Sequence, residues 1–385
     1  MVPKQYLLIV TLVLIAGAIY FINANSASKT GSGGSVTVTP RVFSTDSGQT
    51  PSESDGAVSS LVPSSAQTEK NTMSDKFLSA GEKEKRYELA KEITTPDGFI
   101  NTNGQSVTIN GLIGKKIILV DFWTYSCINC QRTTPYLNAW YEKYKDKGFV
   151  IIGVHTPEFE FEKDYNNVKA AMEKFGIKFP IVLDNDYSTW TAYKNRYWPR
   201  KYLIDIDGYI VYDHIGEGGY EETERKIQEA LTERMAVLGE SGVIDQQITK
   251  EVPIQGGAKS PETYFGSLRN NQQMNLLLPN DSWSIASEFA QNNSSDARIV
   301  YAYTAKDVFF VAEAGTEIVV EALLDGNPLG SEAGDDIIKT PDGKTIVKIR
   351  EARLYKIIQG NHSETHALEL IIRKPGLKAF TFTFG

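Results

Sequence analysis

Two rhythms of apolar residues run along this chain, and the point where one gives way to the other divides it. Between about 117 and 238, short apolar runs bounded by Gly, Asn and Asp alternate with stretches of helical spacing. The runs IILV from Ile117, FVIIGVH from Phe149 and FPIVLD from Phe179 read as buried strands. In PYLNAWYEKYKDKG, the residues Tyr136, Leu137, Trp140 and Tyr144 fall at three- and four-residue intervals, which predicts a helix that ends at Gly148. VKAAMEKFGI predicts a second helix, KYLIDIDGYIVYDHIG a hairpin about Asp207-Gly208, and EETERKIQEALTERMAVLG an amphipathic helix. A short charged helix is expected between Lys76 and Ile93, followed by turn signals at Asn103-Gly104 and Gly114. The order β-α-β-α-β-β-α predicts a central sheet covered by helices, within a domain of residues 73–245.

From about Glu251 helical spacing disappears. NLLLP, RIVYAY, DVFFVAE, TEIVVEALLDGNPL, KTIVKI, ARLYKIIQG, ALELIIR and AFTFTF are short strands separated by turns. They predict an all-β sandwich over residues 255–385.

At the other end, Lys4 precedes an uncharged apolar run from Tyr6 to Ile22. At about 1.5 Å per residue the run reaches roughly 25 Å, which suits a transmembrane signal anchor over residues 1–24. A cleaved signal peptide is the competing reading, but Ile22-Asn23-Ala24 and Asn25-Ser26-Ala27 match the usual cleavage pattern poorly. With its only early cation ahead of the apolar run, the body is expected on the extracytoplasmic side, single-pass, at the cell membrane. Residues 25–72, rich in Ser, Thr and Gly, read as a flexible linker.

Composition narrows the partners. Hydrophobic residues make up 41% of the chain, enough for ordinary cores, and the formal charge is −8 without a long Lys/Arg run. Phosphate backbones are bound by clustered cations, so nucleic acid is not an expected partner.

The candidate chemistry lies in LVDFWTYSCINCQRTTPY, which holds Cys127 and Cys130, the two cysteines of the sequence. Two thiols alone cannot form a four-ligand zinc site, and neither a metal nor a cofactor is expected. An exported protein stapled by disulfides would join distant segments, so a pair three residues apart reads as redox chemistry. At a helix start, Cys127 gains free backbone N–H groups and the positive dipole end, which favour its thiolate and make it the nucleophile. Cys130, one turn later, is placed to resolve a mixed disulfide. Asp121, inside an apolar strand end, would have a raised pKa and exchange a proton with Cys130, unless it faces solvent. The uncharged Ile128-Asn129 pair suggests a reducing couple.

These residues resemble the thioredoxin superfamily: an acid before Phe-Trp, a C-x-x-C six residues on, a proline in the following helix (Pro135), and a later strand preceded by proline in RYWPRKYLID. The resemblance implies a thioredoxin-like α/β fold, a cis Pro199 packed against the disulfide, and a substrate groove shaped by Pro199, Trp198 and Trp123. WTYSCINCQRTTPYLNAWYEKY, GVHTPEFEFE, LDNDYSTWTAYKNRYWPRKYLID and GEGGYEETERKI narrow the likeness to DipZ-type thiol reductases, relatives of TlpA/ResA-like anchored thioredoxins. That family continues, from SPETYFGSLRN, into a carbohydrate-binding-module-like β-sandwich. The implied function is thiol:disulfide oxidoreduction on disulfide-containing exported proteins, apocytochrome c among the candidates. The multi-helix, cysteine-bearing membrane domain of DipZ is absent from this sequence, which implies a separate CcdA- or DsbD-like membrane electron donor.

Rival readings attach to the same residues. A peroxiredoxin-like peroxidase uses P-x-x-x-T-x-x-C, but Val120 stands at the proline position. A copper chaperone would use C-x-x-x-C, one residue longer, with His155 as the nearest histidine. His155 and Glu158 fit either the active-site face or a solvated loop. His214, His362 and His366 read as surface positions, and Trp140 and Trp190 as core. Tyr264, Phe265 and Trp283 offer a sugar platform by family likeness, although protein docking is the preferred reading of the β region. A glycan- or protein-binding surface protein with a secondary redox site is the alternative from another class.

Overall fold

The computed structural model describes residues 77–250, 258–270 and 274–385. The expected anchor and linker lie outside them. Among the described residues no helix is long and apolar enough to cross a membrane.

The first part is a six-stranded sheet with helices. Its strands are β1 (Gly98–Ile100), β2 (Ile117–Trp123), β3 (Phe149–His155), β4 (Ile181–Leu183), β5 (Arg200–Ile204) and β6 (Ile210–Ile215), in the order β1-β4-β3-β2-β5-β6. Every residue of β2 and β3 is buried, as expected of central strands covered on both faces. β2 pairs with β3 in parallel and with β5 antiparallel, so one crossover helix is needed between β2 and β3. The helices are α1 (Ala80–Arg86), α2 (Ile128–Tyr144), α3 (Tyr165–Phe175), α4 (Ser188–Ala192) and α5 (Tyr220–Leu238). α2 is that crossover: Cys130, Thr133, Thr134, Leu137, Trp140 and Tyr144 form its buried stripe, and it runs through Pro135. The chain leaves the following turn through Gly148, whose φ of 88° is a left-handed conformation suited to glycine. The Asp207-Gly208 hairpin is present, with Gly208 at φ 92°. α1 is held by Lys83, buried and ion-paired to Asp205, Asp207 and Glu233 at 2.6–2.7 Å.

Beyond Ser260 the chain is all β, and its described strands form one 11-stranded hydrogen-bonded sheet. The expected pair of separate sheets is replaced by this continuous ladder. Two strands are much longer than their apolar pattern predicts: β7 (Ala297–Ala314) joins RIVYAY to DVFFVAE, and β8 (Arg353–Ile372) joins ARLYKIIQG to ALELIIR. The polar connectors that read as turns pair with one another instead, Thr304 with Thr365 and Ala305 with Glu364. A bulge between Ala305 and Asp307 switches the inward face of β7 from Tyr301, Tyr303 and Ala305 to Val308, Phe310 and Ala312. The last strand, β9 (Leu377–Phe384), pairs with β7.

The two parts belong to one compact unit. Phe309 and Val311 of β7, Leu354 of β8 and Phe380 of β9 are buried on the face opposite the β core, against Ile128 and Phe159 of the α/β part. That apolar seam meets the first turn of α2.

Candidate active site

β2 delivers Asp121 and Trp123 to the sheet end, and a four-residue connection, Thr124 to Cys127, turns the chain into α2. Cys127 is the N-cap of that helix; its Sγ accepts a hydrogen bond from the Cys130 backbone N–H at 3.3 Å. Both thiols are free; Cys127 is half-buried and Cys130 buried. Burial and the neighbouring Cys127 push the Cys130 thiol up.

The turn before Cys127 is fixed from below by Glu162, a fully buried residue that sequence reading missed. Its carboxylate accepts from Ser126 Oγ at 2.6 Å, Ser126 N at 3.2 Å, Glu158 N at 2.6 Å and Phe159 N at 3.0 Å. In sequence it is one of three glutamates in PEFEFE, with nothing to mark it as internal.

Asp121 is buried, and its Oδ1 has no hydrogen-bond partner. Burial raises its pKa from 3.8 to about 7, against an opposing pull from Lys201. Lys201, also missed from sequence, is fully buried opposite Asp121 in the β2–β5 register. Its ammonium donates to Gly216 O at 3.1 Å and lies 5.9 Å from the Tyr220 ring centroid. Burial lowers its pKa, while Asp121, Cys130 and Glu217 raise it. The signal in the sequence is a lysine inside the strand KYLID, two residues after Pro199.

The Trp198-Pro199 bond is cis. Pro199 is buried at the start of β5, and the Trp198 indole donates to Thr156 O at 3.0 Å and packs against Trp190 at 4.3 Å. Trp123 departs from expectation. It is buried, lies edge-on to His155 at 5.1 Å and does not line the cleft at Cys127. As the last residue of an internal strand, it belongs to the core.

His155 is no part of a solvated loop either. It is fully buried, stacked on Tyr125 at 5.8 Å, with Nε2 3.4 Å from Thr124 Oγ1. Burial drives its pKa down to about 3, so the ring is neutral. Glu158 faces the β region, where it is ion-paired to Arg269 and accepts from Tyr264 Oη at 2.7 Å. Phe265 and Trp283 are buried in the β core, so these two rings do not form the alternative sugar platform.

The β region reaches the redox turn directly. Tyr125 Oη donates to Ala352 O at 3.0 Å, Arg132 of α2 pairs with Asp307 at 3.5 Å, and its guanidinium lies over Phe309 at 5.4 Å. Between the two parts a cleft of about 310 Å³ opens onto Cys127.

Residues 88–231 match the Redoxin family model, and residues 262–385 match the model described as thioredoxin like C-terminal domain. The thiol-disulfide oxidoreductase YkuV of Bacillus subtilis is 32% identical over 131 residues, covering 34% of this chain and 87% of YkuV. The chain belongs to the thioredoxin-like thiol:disulfide oxidoreductases. Within that family, Protein DipZ of Mycobacterium tuberculosis is 34% identical over 322 residues, which cover 76% of this chain. The chain spans 43% of the length of DipZ. The oxidoreductase region and the β region thus occur together in a relative, in the order found here.

Proposed function

We propose that this oxidoreductase is a membrane-tethered reductase of disulfides in exported proteins, working through Cys127 and Cys130. The observation that carries this reading is the asymmetry of the pair: one half-buried sulfur at a helix N-terminus and one buried thiol beside a buried carboxylate.

The Cys127 thiolate attacks one sulfur of the substrate disulfide; an S–S bond forms to Cys127 and the other substrate sulfur leaves as a thiolate, which takes a proton. Asp121 then accepts the proton of Cys130, whose thiolate attacks Cys127 Sγ. The second substrate sulfur departs, and the pair is left as a disulfide. Two electrons pass from the dithiol to the substrate. Lys201 favours the carboxylate form of Asp121, which is the form able to act as base. The cis Pro199 loop and Trp198 present the substrate.

Regeneration requires a dithiol supplied at the outer face, and a CcdA- or DsbD-like membrane carrier is the donor we propose. The apolar run Tyr6–Ile22 and the Ser/Thr/Gly-rich stretch behind it support an extracytoplasmic body on an anchor and linker. Reduction of apocytochrome c fits such a placement. For the β region, its contacts around Cys127 favour a role at the redox site over recognition of glycan.

The reduction potential of the Cys127–Cys130 couple, measured in glutathione or dithiothreitol buffers, tests the direction. A value near roughly −270 mV fits a reductase, whereas one near roughly −120 mV makes the protein a disulfide donor.

A further inference from the structure

The cleft at Cys127 contains a second carboxyl beside Glu158, and it comes from the β region. The short strand Thr263–Tyr264 pairs with β9, Thr381 opposite Tyr264 and Phe382 opposite Thr263. Continued by one residue, that register sets Glu262 beside Thr383, and both line the cleft together with Cys127. The cleft encloses about 310 Å³, so a disulfide bound at Cys127 occupies the space that Glu262 borders.

The two carboxyls are compensated unequally. Arg269 is ion-paired to Glu158, and Tyr264 Oη donates its one hydrogen to Glu158 at 2.7 Å. Glu262 makes no ion pair among the described residues; it has the Tyr264 and Thr383 hydroxyls and the charge of Glu158 as neighbours. Although the residue as a whole is exposed, desolvation of its carboxyl, with Glu158 second, pushes it up to about 7 against the pull of Tyr264, Arg269 and Thr383. Glu288 shares a neighbouring pocket with Glu158 and Arg269, and exposed Arg196, from the α/β part, is the remaining charged group of the cleft lining. The cleft therefore holds one carboxyl committed to an ion pair and one able to give and regain a proton near neutral pH.

The exchange at Cys127 needs such a group. The substrate sulfur that Cys127 displaces departs as a thiolate, and an ordinary cysteine thiol has a pKa of about 8.5, so it takes a proton from a weaker base. We propose that Glu262 is the general acid of this first exchange and gives its proton to the displaced sulfur. The substrate S–S bond breaks as the bond from Cys127 to the other substrate sulfur forms; the displaced sulfur becomes a thiol, Glu262 becomes a carboxylate, and solvent returns its proton. No electron passes through Glu262. The inference rests on the reductase reading above: Glu262 serves the first exchange, as Asp121 serves Cys130 in the second.

The full chain carrying Cys130→Ser stops at the mixed disulfide and so isolates the first exchange. It is reacted with two neutral disulfides, an alkyl peptide disulfide whose displaced thiol is weakly acidic and an aromatic one whose acidic thiol leaves without help. The readout is the ratio of the alkyl to the aromatic rate constant, from which the thiolate fraction of Cys127 and any loss of folded protein cancel. With Glu262 intact the ratio should fall as pH rises through about 7. Glu262→Gln should lower it by about tenfold on the acid side and leave it independent of pH. An unchanged ratio in Glu262→Gln, whether both disulfides slow equally or neither does, overturns the inference, as does a ratio that ignores pH while Glu262 is present. The reductase reading is checked separately with the aromatic disulfide: if the unmodified protein fails to reduce it, or Cys127→Ser still does, the reading and the inference both fall.

Discussion

Asp121 and Lys201 face each other across the β2–β5 ladder, both buried and both interacting electrostatically with Cys130. A carboxylate and an ammonium in such a place are costly to fold, since each loses its hydration. Their positions at the sheet end, beneath the redox turn, support the proton transfer from Cys130 proposed above.

The stability cost of Asp121 depends on pH. Its folded pKa of about 7 lies above the ordinary 3.8, so between these values the native state holds a proton that the unfolded chain has released. Stability due to this group is therefore full below about pH 4 and falls as pH rises toward 7. Asp121→Asn removes the dependence. Relative to the unmodified protein, the variant should gain up to roughly 4 kcal/mol on going from pH 4 to pH 8, read by urea unfolding at the two pH values. Its mixed disulfides should also resolve more slowly at pH 7.

Lys201 acts through Asp121. Loss of the cation raises the pKa of the carboxyl further, and less of it is available as base at neutral pH. Lys201→Met should move the acid limb of the pH–rate profile upward by about one unit, about tenfold in rate at pH 7, with recovery at higher pH. Lys201→Arg should retain the profile of the unmodified protein. Facing Asp121 and Lys201 are the buried Cys130 thiol of α2 and, near Lys201, Glu217 and the Tyr220 ring; β3 contributes uncharged Gly153 opposite Asp121.

Glu162 accepts two hydrogen bonds from Ser126 of the redox turn and two from the backbone of Glu158 and Phe159, tying the two loops together. Glu162→Ala leaves those neutral donors without their acceptor, at about 1–3 kcal/mol for each that stays unmet. Thermal unfolding should show the loss, and Glu162→Gln, which keeps an acceptor, should show less of it.

The seam between the two parts protects the first turn of α2. Phe309→Ala should cost about 3–5 kcal/mol as a buried large-to-small change. Because Phe309 packs with Ile128, next to Cys127, alkylation of Cys127 by iodoacetamide should become faster in the same variant.

The sequence made the placement of Cys127 at a helix start and of Asp121 inside a buried strand legible, because thiol spacing and an acid in an apolar run have few structural uses. Pro199 was legible through resemblance. Lys201 and Glu162 were hidden because charged residues are ordinarily exposed, and only their three-dimensional partners show them to be internal. His155 was left open between the active-site face and a solvated loop because a strand end and a loop start look alike in sequence. In the β region two long strands were each split in two where polar residues pair across the ladder, as Thr304 and Thr365 do. The contact of Tyr125 with Ala352 joins residues 227 positions apart, and no local pattern carries that information.

The central claim is that Cys127 attacks and Cys130 resolves. It is tested most directly by trapping: Cys130→Ser and Cys127→Ser proteins are each mixed with a disulfide-bearing peptide and analysed without reductant. The account predicts a peptide adduct on Cys127 in Cys130→Ser, released by dithiothreitol, and little or none in Cys127→Ser. Equal adducts in both variants, or none in Cys130→Ser, would contradict it.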